Sequence, residues 1–148
     1  MQAKENIEYR VIFFHIQSAS ARMRFLYFKQ RNSVLGFSSL DNLSVLIEKT
    51  EESEDLLQLE THNNAILQYI EQKLLFDLSK IELKYEFCYC IDNPNKLVVV
   101  ALARFQSIDP PFELSEGLDA QFCELPSLRK VHQVELELLQ KAYHLIIG

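Results

Sequence analysis

Residues 59–87 read "LETHNNAILQYIEQKLLFDLSKIELKYEF", and this stretch decides the fold because its hydrophobic period changes partway along. From Thr61 to about Phe76, Ile66, Ile70 and Leu74 recur every four residues with Leu67 beside them, the spacing of a helix with one buried face. Thr61 is a residue type that caps such a helix, its hydroxyl accepting from a backbone N–H of the first turn. Past Asp77 the four-residue step is gone. "KIELKYEFCYCI" (80–91) has the β-branched and aromatic content of a strand, and "DNPN" (92–95) reads as a turn. "KLVVVALARF" (96–105) follows as a second strand, apolar enough to lie in the centre of a sheet.

Working outward, "IEYRVIFFHI" (7–16) is a strand with Val11, Phe13 and His15 on one face and Ile12, Phe14 and Ile16 on the other. Both faces are largely apolar, so both are expected to be covered. "QSASA" (17–21) is a turn, and "RMRFLYFKQR" (22–31) resumes an alternating extended pattern, giving a hairpin. "SSLDNLSVLIEK" (38–49) fits either a short capped helix or an irregular approach to a strand near Val45 to Ile47. "EKTEESED" (48–55) is an acidic surface loop. Toward the other end, "QSIDPPFELSEG" (106–117) is expected to be a loop stiffened by Pro110 and Pro111, and "LDAQFCEL" (118–125) a short strand. Pro126 and Ser127 then open a last helix, with Val131, Val134, Leu138, Ala142 and Leu145 on one stripe flanked by Leu139 and Ile146. The order is two strands, an irregular stretch, a helix, three strands and a closing helix. An α+β fold with a mixed sheet between helices would bury these stripes.

The 148 residues suit one domain, 1–148, with a proper core, and 48% hydrophobic with 24% charged residues is ordinary globular composition. A net charge of −6 disfavours a nonspecific nucleic-acid surface, which needs clustered cations, although Arg10, Arg22, Arg24, Lys29 and Arg31 make the amino-terminal stretch locally basic. Three cysteines without regular spacing point to a reducing compartment. Cys88 and Cys90 alternate along a strand, so both thiols face one way, as core or half-buried groups rather than metal ligands. No apolar run has the roughly 20 residues that span a bilayer, and no signal-peptide pattern opens the sequence, so a soluble, cytoplasmic protein without membrane partners is expected. His15, His62, His132 and His144 show no metal-ligand spacing, and His62 is expected to face water.

Residues 54–76 can be laid without a gap on the signature of the Nudix family, in which Gly, five residues, Glu and seven residues precede Arg-Glu-apolar-x-Glu-Glu-x-Gly-apolar. The chain resembles the family in the Thr61 cap, in Ala65, Leu67, Ile70 and Phe76, and in the trailing Asp77. "RFLYFKQR" (24–31) is similar to the family strand ending in Gln-Arg, and "EGLDAQFCELPSL" (116–128) to its late strand running into Leu-Pro and the final helix. The resemblance implies a Nudix-like α/β/α sandwich with a mixed β-sheet between helices. In active members the glutamates of the box hold divalent metal against a diphosphate, because a hard cation wants several oxygen ligands on one face.

Here only Glu60 survives. Glu54 stands for the first Gly, Gln68 for the Arg, Tyr69 for its Glu, Gln72 and Lys73 for the paired Glu, and Leu75 for the last Gly. Lys73 puts an ammonium where a cation should sit, and Glu71 is turned about 100° off the metal-facing side. The resemblance therefore implies a catalytically degenerate, non-enzymatic domain without metal or other cofactor, a ligand-binding or regulatory module or a protein-interaction module. Arg24, Arg31, Glu60 and Tyr69 are its candidate ligand-binding residues, and a nucleotide-like small molecule or a protein partner is its expected occupant. The alternative is a Mg²⁺-dependent Nudix hydrolase of nucleoside diphosphate-linked substrates, with Glu60 joined by acids of the 48–55 loop or by Glu113 or Glu116. A structural role through a homodimer is a third reading, with Phe13, Phe28 or Phe112 as the apolar contact.

Overall fold

The structure, a computed structural model, describes residues 7–36, 40, 42–47, 59–74, 77–94 and 96–148, with the side chains of 59–61 outside that set. Its centre is the apolar strand of 96–105. This strand, β5 (Lys96–Phe105), is buried from Leu97 to Ala103, and it lies between two long neighbours. β4 (Ile81–Asn93) pairs with it antiparallel, and β1 (Ile7–Gln17) pairs with it parallel along Ile7–Phe14. β2 (Arg22–Phe28) folds back on β1 at Phe14–Gln17, β6 (Ala120–Cys123) flanks β2, and β3 (Val45–Leu46) flanks β4. The result is a six-stranded mixed sheet in the order β3-β4-β5-β1-β2-β6.

Both faces of the sheet carry apolar side chains, and each face has its helix. Val11 and Phe13 of β1 pack with Ile66, Ile70 and Leu74 of helix α1 (Leu59–Leu74), whereas Ile12 and Phe14 pack with Val134, Leu138, Leu139 and Ala142 of helix α3 (Gln133–Ile147). The alternation of one strand thus divides the core in two. Each fully buried Ile or Leu of these stripes contributes about 1.5–3 kcal/mol, so the helices are held by packing rather than by propensity. No helix among the described residues is long and apolar enough to cross a membrane.

Several local expectations are corrected. Helix α1 is already formed at Leu59, which puts Thr61 inside it rather than at its cap, and it is described as far as Leu74, the expected end near Phe76 lying outside the described residues. The extended pattern of 22–31 stops at Phe28, where Lys29–Arg31 form a 3₁₀ turn closed by Asn32 in the left-handed region. Residues 45–46 take the strand option. The expected loop at 106–117 contains a helix, α2 (Phe112–Gly117), because Pro110 and Pro111 precede it, where a missing N–H costs nothing. The last helix starts at Gln133 and not at Pro126. Leu125–Leu128 form a 3₁₀ turn, and His132 caps α3 by accepting from the Val134 N–H at 3.1 Å. Leu145 is consequently 42% exposed. Phe13 and Phe28 are core residues and offer no contact surface, while Phe112 is exposed. The acidic run 48–55 lies outside the described residues.

Candidate functional site

Helix α1 presents two stripes. His62, Ile66, Ile70 and Leu74 form the buried one, and one residue back, about 100° round the helix, Ala65, Gln68, Tyr69, Gln72 and Lys73 line a cleft against the start of β1. Ile7, Glu8, Tyr9 and Arg10 form the facing wall, and the cleft has a volume of about 470 Å³. It opens at the end of the sheet where β2 has stopped at Phe28 and β1 has only begun. A cavity of this size holds one small ligand.

Arg10 is buried, at 4% exposure, and is fixed from two sides. Its Nε donates to Glu8 Oε2 at 2.8 Å and its Nη1 to the Leu35 carbonyl at 3.0 Å. Glu8 and Arg10 lie two apart on one strand, hence on the same face. The other oxygen of Glu8 accepts from Lys96 Nζ at 2.9 Å. Burial works against the charged carboxylate of Glu8, yet the hydrogen bonds and charges of Arg10 and Lys96 together hold it below the usual carboxylate range. Two cations, Arg10 and Lys96, thus engage the Glu8 carboxylate, and a third, Lys73, lines the same cleft from α1.

Tyr69 closes the cleft against Gly36. Burial pushes its phenol up to about 12, while the Arg10 guanidinium, by charge and hydrogen bond, pulls the other way. Gly36 has φ +92°, and a Cβ there would lie 3.4 Å from the Tyr69 hydroxyl, so the chain turns and approaches the phenol at a position suited to glycine. On the helix's other side the Tyr9 hydroxyl meets His62 Nδ1 at 3.0 Å. His62 is 5% exposed, which corrects the water-facing expectation: the four-residue step of Ile66, Ile70 and Leu74 extends back to it.

The turn that receives Arg10 is anchored from the opposite helix. Glu135 of α3, 1% exposed, accepts from Ser33 Oγ at 2.9 Å and from the Val34 N–H at 2.7 Å, and Ser33 Oγ accepts in turn from the Leu35 N–H at 2.9 Å. A chain of hydrogen bonds thus runs from α3 through Ser33 and Leu35 to Arg10 and Glu8. Burial raises the Glu135 carboxyl, against the pull of those donors and of His132.

The candidates from sequence fall in different places. Tyr69 lines the cleft. Glu60 is in the first turn of α1, with its side chain outside the described set. Arg31 sits in the 3₁₀ turn after β2, at the same end of the sheet as the cleft but not in its lining. Arg24 stands opposite His15, roughly 16 Å along β1 from Arg10 at the usual strand rise, and donates to Gln17 Oε1 at 3.2 Å. Glu113 and Glu116 belong to α2, which packs on β6, and do not line the cleft. Among the described residues no three His, Cys, Asp or Glu side chains come together in a metal-holding group. Cys88 and Cys90 are both buried in the cluster under α1, as their alternation requires, and Cys123 is half-buried.

Arg10, Glu8 and Lys96 were not candidates from sequence. The one signal for them is a Glu-x-Arg pair on one face of an otherwise apolar strand. Compared with known proteins, the chain matches no family model and finds no significant match among curated proteins.

Proposed function

We propose that the chain is a binding domain on a Nudix-like α/β/α scaffold that holds a small ligand between β1 and α1 and does not cleave it. The observation that carries this is the lining of the cleft. Five of its residues, Ala65, Gln68, Tyr69, Gln72 and Lys73, are positions of the aligned box, and where the resemblance calls for an Arg and three Glu they supply two carboxamides, a phenol and an ammonium. Helices on opposite faces of a mixed sheet, with α1 lying beside β1, support the scaffold part of the proposal.

The chemistry follows from that lining. Hydrolysis of a diphosphate needs a base or a metal-activated water, and the carboxylate that the described wall offers, Glu8, is engaged by two cations at 2.8 and 2.9 Å. Binding needs only shape and donors, both of which are there. The test pairs two assays. Incubation with nucleoside diphosphate-linked compounds and Mg²⁺ should release no phosphate or nucleoside monophosphate, while a thermal-shift screen of small metabolites should give ligands whose effect is lost in Tyr69→Ala. Mg²⁺-dependent turnover that falls in Glu60→Gln would establish the hydrolase instead.

A further inference from the structure

Among the described residues the cleft is rich in hydrogen-bond donors and poor in charged acceptors. Arg10 and Lys73 are donors only, Gln68 and Gln72 each carry an amide NH₂ beside a carbonyl oxygen, and Tyr69 carries a phenolic O–H, while the Tyr9 hydroxyl is engaged with His62 Nδ1 at 3.0 Å. Glu8 is the one carboxylate on the wall among the described residues, and its two oxygens are taken by Arg10 Nε and Lys96 Nζ. Its role there is to orient Arg10, and with Lys96 present its charge is more than balanced. The Leu35 carbonyl fixes the guanidinium from another side. A long cationic side chain is therefore ordered before any ligand arrives, which removes the entropy cost that weakens binding to a mobile one.

Helix geometry adds a constraint. Gln68, Tyr69, Gln72 and Lys73 lie in the C-terminal half of α1, where the helix end carries partial negative charge. Attraction for an anion has to come from side chains here, and the helix brings Gln68, Tyr69, Gln72 and Lys73 to one side through steps of three and four residues. A divalent metal entering the same space meets Lys73 and Arg10, both of its own sign.

From these observations we infer that the cleft captures an oxyanion, a phosphate- or carboxylate-type group, directly on Arg10, Lys73 and the Gln68 and Gln72 amides, with no divalent metal between protein and ligand. This rests on the reading of the cleft as a ligand site and assigns its ligand class. The occupant is an anionic metabolite small enough for about 470 Å³.

The test is a ¹H–¹⁵N titration of the full chain that follows the signals of Arg10, Tyr69 and the Gln72 amide, with inorganic phosphate, pyrophosphate and malonate as anion probes and adenosine as a neutral one. Each series is run with EDTA and again with Mg²⁺. At least one anion should move these signals equally in both. Lys73→Glu, at an exposed position, should weaken that anion at least tenfold, and Lys80→Glu, the same charge change outside the cleft, should leave it unaltered. The ranking of pyrophosphate against malonate identifies phosphate or carboxylate as the group preferred. Shifts that require Mg²⁺, or that survive Lys73→Glu, overturn the inference. Movement with adenosine and with no anion overturns it too, but leaves a ligand cleft standing, whereas silence toward all four probes sinks the oxyanion assignment and, with an empty metabolite screen, the binding reading as well.

Discussion

Replacing Glu135 measures the anchor beneath the cleft. The Glu135→Ala change removes the acceptor of two buried donors, Ser33 Oγ at 2.9 Å and the Val34 N–H at 2.7 Å, in a site with 1% exposure. An abandoned buried donor costs about 1–3 kcal/mol, so two cost about 2–6 kcal/mol, partly offset because a desolvated carboxylate is removed as well. A net loss of about 3 kcal/mol is expected, read from urea unfolding followed by circular dichroism. Glu135→Gln keeps a carbonyl of the same reach and should lose less than half as much. The pH dependence separates charge from shape. Because burial raises the folded-state value of Glu135 above the ordinary 4.5, the folded protein holds that proton more tightly than the unfolded chain. The sign of the linkage is then that Glu135 favours folding most below 4.5, and this contribution is lost as pH rises through the raised value. The neutral Gln variant has no such loss. Its stability relative to the parent should improve as pH goes from about 4 to 7. A difference that is flat, or that runs the other way, would show that the hydrogen bonds and the His132 charge outweigh desolvation, and the account of Glu135 would fail.

Three further outcomes follow from the same geometry. Glu8 has the opposite sign: its carboxyl is held below 4.5, so its contribution is present above that value and lost as pH falls through the lowered one. Glu8→Gln should flatten the acid limb of an unfolding-stability profile and cost about 1–2 kcal/mol at neutral pH. Gly36→Ala, at φ +92° and 3.4 Å from the Tyr69 hydroxyl, should lower stability by about 1–2 kcal/mol and change the near-ultraviolet tyrosine signal. Thiol labelling under native conditions should modify half-buried Cys123 first, with Cys88 and Cys90 reacting only on global unfolding, since both are buried and burial pushes the Cys90 thiol up to about 12.

The parts of the fold legible in the sequence are those where one hydrophobic period runs unbroken. Ile66, Ile70 and Leu74 gave helix α1, and the alternation from Val11 to Phe14 gave a strand covered on both faces, because burial on two sides demands apolar residues at every position. Boundaries were harder, for reasons of backbone chemistry. Lys29–Arg31 continue the alternation of β2 in sequence, but they form a 3₁₀ turn closed by a left-handed Asn32, so the strand ends at Phe28, three residues short of Arg31. Pro110 and Pro111 signal a break, and a break is also where a helix begins. Of the cleft, Tyr69 was legible, being an aromatic where an acid was expected. Arg10 was not, because its significance depends on Leu35 and Lys96, distant in sequence and brought beside it by the turn after β2 and the parallel β1–β5 pair.

Under the proposed scaffold, the box positions along α1 are coupled to β1. Position 69 faces a buried guanidinium that is already tied to Glu8 and to the Leu35 carbonyl. A carboxylate at 69 would meet Arg10 at close range and form an ion pair with it, since a fixed cation in a desolvated corner outcompetes a hydrated dication that must shed water to enter. Tyrosine suits that corner better: its ring packs on the core beneath α1, and its hydroxyl takes the polar contact with Arg10 without adding a charge. The ammonium at 73 acts in the same sense from the next turn of the helix. Placing acids on α1 alone would therefore leave the Arg10 guanidinium of β1 facing any cation that entered. Under the proposed reading, the two walls, one from a helix and one from a strand, act together as a receptor for negative charge.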